Sequence, residues 1–115
     1  MKDSAHRERC IACAGNVLRV LTAETFLQRL RGLRGPRPFA NCDALRLPSC
    51  CAIHTFGMRQ RIDVVFVGGD QLIQRILRNV ARGRICICLR AAEVWEFRAG
   101  ATANLNMQIG DPLPW

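Results

Sequence analysis

Hydrophobic positions along the chain fall in short runs broken by Gly, Pro and charged residues, a pattern of brief strands and few helices. The densest run, Ile62 to Val67, is apolar on both parities apart from Asp63, which predicts an interior strand covered on both faces. Strand character also marks Val17 to Leu21, Ala44 to Leu47 (ended by Pro48), Arg84 to Leu89 and Glu93 to Phe97. A further strand is expected over Ile53 to Met58, where alternation puts His54, Phe56 and Met58 on one face and Ile53, Thr55 and Gly57 on the other.

Helical signals are fewer. Thr22 can cap a helix over residues 23 to 31, with Phe26, Leu27 and Leu30 on one face and Gly32 as its stop. Residues 32 to 39 then break all regular structure, and Ala101 to Met107 suits a second short helix. Between Leu72 and Val80 the signals conflict: the spacing of Leu72, Ile73, Ile76, Leu77 and Val80 fits a helix face, whereas the preceding Gly68-Gly69-Asp70 turn predicts the returning strand of a hairpin. Residues 1 to 14 show no sustained period and are expected to form a loosely held, flexible extension, leaving residues 15 to 115 as one domain.

The length of 115 residues supports one hydrophobic core without a staple. No apolar run approaches the roughly 20 residues a spanning helix needs. Arg7 and Arg9 precede a small-residue pattern at Cys10 to Ala14, but the apolar stretch is too short for a secretory signal. The seven cysteines are odd in number and are read as reduced thiols, which predicts a cytoplasmic protein.

The net charge of +8 rests on 17 basic residues, of which only Lys2 is a lysine. These charges are spread along the chain rather than clustered among exposed aromatics, so a basic solvated surface is favoured over a nucleic-acid footprint.

Three phrases follow one another along the chain: residues 28 to 35 (QRLRGLRG), residues 53 to 67 (IHTFGMRQRIDVVFV) and residues 96 to 103 (EFRAGATA), with Gly110-Asp111 near the end. Together they resemble the small prokaryotic family known as domain of unknown function 192, over roughly residues 17 to 113. The resemblance implies a compact, mainly β sandwich or barrel with a short helix near each end, and no established activity. It also implies a strand at residues 71 to 80, since members of that family continue the hairpin after a Gly-containing turn. Gly57 stands where the family usually has a bulky residue, and the cysteine load is unusual.

Chemistry-bearing residues concentrate in the middle phrase. His54 and Met58, with Cys50 and Cys51 upstream, are soft-metal ligand types, but no spacing closes a zinc or copper site; a core histidine and a space-filling methionine are the simpler reading. Asp63 opens a buried strand and needs a partner, whether Arg59, Arg61 or backbone amides in a structural role, or His54 in an acid/base pair. Glu96 faces away from Trp95 and Phe97 and is read as solvated or paired with Arg29 or Arg31, with a catalytic role as the minor alternative. Cys10-Ile-Ala-Cys13 has a redox spelling outside the strand-to-helix context that redox chemistry uses.

No cofactor is implied. The favoured function is a non-catalytic ligand-binding or protein-interaction module using a rim of His54, Phe56, Met58, Arg59 and Asp63; the alternative is a small hydrolase-like or metal-assisted enzyme using His54 with Asp63 or Glu96. The expected partner is a protein or a small ligand.

Overall fold

The structure is a computed structural model that describes residues 6–23, 39 and 42–115. Eight strands lie among these residues: β1 (His6–Cys13), β2 (Asn16–Ala23), β3 (Ala44–Pro48), β4 (Ala52–His54), β5 (Ile62–Val67), β6 (Ile73–Val80), β7 (Ile85–Ile87) and β8 (Glu93–Arg98). One short helix, α1 (Ala101–Asn104), follows. The fold is mainly β, as expected. The helix expected over residues 23 to 31 and the phrase at residues 28 to 35 lie outside the described residues, apart from Ala23, which ends β2.

Six strands form one sheet in the order β1-β2-β3-β8-β5-β6, and β4 pairs with β7 in a second, two-stranded sheet. All pairings are antiparallel except β2 with β3. The large sheet ends at β1 and β6 and does not close into a barrel.

Period-two alternation explains its two apolar faces. Leu45, Leu47, Val64, Phe66 and Val94 point into the layer beneath the small sheet, where they meet Cys50, Met58 and Cys86. Val20, Ala44, Val65, Val67, Trp95 and Phe97 point the other way and are covered by Met107, Leu113 and flanking residues. Strand β5, in contact with a layer on each side, is buried at all six positions. Trp95, Phe66 and Phe97 are the largest fully buried side chains, each contributing on the order of 1.5–3 kcal/mol of transfer free energy.

Two local expectations are corrected, and one conflict of signals is resolved as the resemblance implies. Residues 6 to 13, read from sequence as an extension, form β1, which pairs with β2 along its whole length, from His6 opposite Ala23 to Cys13 opposite Asn16. The pairing strand, not a strong period of its own, orders this segment. Residues 73 to 80 form strand β6 and not a helix: register shifts against β5 displace the alternation, so the apolar positions mimic helical spacing. The strand expected over Ile53 to Met58 stops at His54, because Gly57 takes φ 79 and Met58 N–H donates to Thr55 O (3.3 Å), turning the chain. A side chain at Gly57 would be strained.

Candidate functional site

The middle phrase divides between core and surface. Thr55 is buried and fixes the loop of residues 81 to 84: its hydroxyl donates to Ala81 O (2.8 Å) and accepts from Arg84 N–H (2.9 Å), while its own N–H donates to Arg84 O (2.9 Å). Two neighbours of this anchor face outward, and the His54 and Phe56 rings stack with centroids 5.1 Å apart. The Phe56 ring also lies over Gly83, with Cδ1 4.0 Å from where a β-carbon would stand.

Met58 turns inward instead, so it does not share a face with His54 and Phe56 as an uninterrupted strand would require. Next to it opens a cleft of about 460 Å³ lined by Gly57, Met58, Arg59 and Arg82. Among the described residues, neither the Arg59 nor the Arg82 guanidinium has a hydrogen-bond or ion-pair partner.

Asp63 belongs to a different environment. It is fully buried, and its Oδ1 accepts from Asn79 N–H (2.8 Å). Its Oδ2 accepts from Gly100 N–H (3.1 Å), Thr102 N–H (3.1 Å) and the Thr102 hydroxyl (2.6 Å). Four donors from β6 and the start of α1 converge on one carboxylate. Arg78 Nε donates in turn to the Thr102 hydroxyl oxygen (3.1 Å). The Asn79 backbone sits at φ 56, where β6 bulges against β5, so Asp63 fastens the bulge to the β8–α1 connection. No hydrogen bond joins Asp63 to His54.

Glu96 is buried rather than solvated, on the β8 face shared with Val94, beside Cys86. Burial first, and then the Glu96 charge, push the Cys86 thiol above its ordinary value. A third buried carboxylate, Glu93, was not singled out by sequence: Arg46 grips it through Nη2 to Oε2 (2.9 Å) and Nε to Oε1 (3.2 Å), and Trp95 Nε1 donates to Oε1 (2.7 Å). The same Arg46 lies over the Trp115 ring at 4.6 Å, with Arg9 at 4.4 Å from that ring. These carboxylates sit within the structure's own bonding, away from the cleft.

The soft-metal grouping is not assembled, since Cys50 and Met58 enter the core while His54 faces out. Among the described residues, no three His, Cys, Asp or Glu side chains are arranged to hold a metal ion. Cys10 is exposed and Cys13 half-buried on β1, both as free thiols.

Sequence reading missed the outer face of the small sheet. Ile85 is 67% exposed, Ile87 48% and Leu89 84%, beside Phe56 at 47%. In β7 the cysteine points in and the isoleucines point out, the reverse of what hydropathy alone suggests. One signal could have found this surface. Residues 49 to 62 and 80 to 92, which build the small sheet and its turns, contain five arginines and no Asp or Glu.

A family model, DUF192, described as "Uncharacterized ACR", matches residues 10–115. The chain belongs to this family. As a DUF192 member it shares its fold with a protein of unknown function from Novosphingobium aromaticivorans (TM-score 0.76, 20% identity, covering 92% of this chain and 81% of that one). It is similarly close in fold to a Sinorhizobium meliloti protein named as a candidate transcription regulator (TM-score 0.76, 24% identity, 95% and 92% covered). None of the curated proteins is a match. No helix among the described residues is long and apolar enough to cross a membrane.

Proposed function

We propose that this DUF192 protein is a non-catalytic binding module that recognises an anionic group on its ligand or partner at the end of the molecule occupied by the small sheet. The observation that carries this reading is the pair of guanidiniums, Arg59 and Arg82, which have no partner among the described residues and flank a cleft beside the stacked His54 and Phe56. A guanidinium without a carboxylate is a ready donor fork for a carboxylate or phosphate. The cleft volume is in the range that takes a small ligand or one side chain of a larger partner.

Of the rim residues read from sequence, His54, Phe56, Met58 and Arg59 belong to this surface, and Asp63 does not. The enzyme alternative needs His54 and a carboxylate in one cleft, and the oxygens of Asp63 are already taken by Asn79, Gly100 and Thr102. The name carried by the Sinorhizobium relative raises duplex DNA as a ligand. Against it, the one helix among the described residues, α1, has four residues, too short to fill a major groove.

Amide NMR titration with inorganic phosphate, citrate and oligoglutamate tests the proposal. Shifts are expected at Gly57, Arg59, Arg82 and Gly83, and their loss in an Arg59→Gln/Arg82→Gln variant. No shifts at these residues, or unchanged shifts in the variant, would sink it.

A further inference from the structure

The small sheet carries more than a cleft. Its outer face presents Ile85 and Ile87 from β7 opposite His54 and Ala52 from β4, with Phe56 and Leu89 extending the apolar strip at either end. Around it stand Arg59, Arg61, Arg82, Arg84 and Arg90, all exposed, with no Asp or Glu in either segment. A contiguous apolar strip with a rim of one charge is the surface of a docking site rather than of solvated structure.

The backbone adds a direction. Cys88 N–H donates to Cys51 O (2.9 Å) and Thr55 N–H to Arg84 O (2.9 Å), so positions 51, 53 and 55 are those bonded across to β7. Ala52 and His54 therefore turn their backbone groups to the other side. Among the described residues no strand pairs with β4 on that side, where the Cys50 thiol donates to Ala52 O (3.0 Å). On the β7 side the corresponding position is closed, because Arg75 Nη1 donates to Ile87 O (3.2 Å). Among the described residues the β4 edge is thus open at His54, and the β7 edge is engaged at Ile87.

We propose that this face docks an extended, acidic segment of a partner protein. The segment pairs with the open edge of β4, lays alternate apolar side chains against Phe56, Ile85, Ile87 and Leu89, and directs its carboxylates to the arginine rim. The proposal rests on the anion-recognition reading and adds to it the class of partner. Backbone pairing favours a protein segment over an anionic membrane, which offers no strand of donors and acceptors. Ile85, Ile87 and Leu89 outnumber Phe56 in the strip, and aliphatic side chains give the bases of single-stranded nucleic acid no ring to stack on. A second copy of the chain would set one arginine rim against another.

The test is fluorescence anisotropy with short labelled peptides in which Glu alternates with Val, Ile or Phe, against counterparts with Lys in place of Glu. Saturable binding is expected for the Glu peptides only, weakening as salt rises from about 0.05 to about 0.5 M. Ile87→Glu should weaken it at least about tenfold. Leu89→Ser, at the most exposed position of the strip, should lower affinity in the same direction, with far-UV circular dichroism verifying that both variants fold. Equal binding of Lys and Glu peptides would overturn the proposal. So would binding to phosphatidylglycerol vesicles or DNA without peptide binding, or self-association that Ile87→Glu abolishes. Peptides that fail while phosphate and citrate still shift Arg59 and Arg82 refute the protein segment alone; failure of both refutes the anion site as well.

Discussion

Asp63 shows how one side chain decides between architecture and chemistry. Read from sequence, it is a buried carboxylate in need of a partner, and both a structural cradle and a pairing with His54 satisfy that need. Three backbone amides and one hydroxyl supply the partners, so the buried carboxylate is satisfied without Arg59 or Arg61. Asp63→Asn replaces one acceptor oxygen with a donor facing donors. The substitution should lower unfolding free energy by about 3 kcal/mol in urea denaturation, while folded variant protein keeps its anion response at Arg59 and Arg82. Loss of that response with unchanged stability would return Asp63 to the functional list.

At the scale of elements, strands were legible wherever burial on both faces or clean alternation left one period. β2, β3, β5 and β8 are of this kind: β5 has the expected limits, and those of the other three differ by at most two residues. Where pairing sets the structure, sequence was silent or misleading: β1 takes its order from β2, and the β6 bulge at Asn79 shifts apolar positions into a helical spacing. The candidate site was half legible for the same reason. His54, Phe56 and Arg59 stand out as residue types, but Arg82, Ile85 and Ile87 join them only through the β4–β7 pairing.

Thr55 is the joint between these segments. Thr55→Val keeps the shape and deletes two side-chain hydrogen bonds to the 81–84 loop, one of which leaves Ala81 O without its donor. A cost of about 1–2 kcal/mol is expected, with hydrogen exchange accelerated at residues 81 to 84 and unaltered in β5. Uniform acceleration across both would show that the loop is not separately anchored.

For the whole molecule, burial of thiols makes stability sensitive to alkali. Burial foremost, with the neighbouring Asp43 charge, pushes Cys42 from an ordinary 9.0 up to about 11, and Cys13 and Cys86 are raised as well. A folded value above the unfolded one means the native state holds its proton longer. The contribution is therefore complete below pH 9 and lost as pH rises through about 11. Thermal midpoints should fall across that window, and Cys42→Ser should flatten the decline. An unchanged slope in the variant would assign the alkaline loss to other groups.

The order of strands also governs how the chain is made. β8 lies between β3 and β5, yet it follows both in sequence by many residues. During synthesis on a ribosome, β3 and the β5–β6 hairpin emerge first, each with one side awaiting a neighbour that has not been translated. Until Arg98 has cleared the exit tunnel the large sheet consists of two separate pieces, and bare strand edges of this kind are what chaperones shield from mispairing. The last long strand to appear is the one that makes the protein a single body.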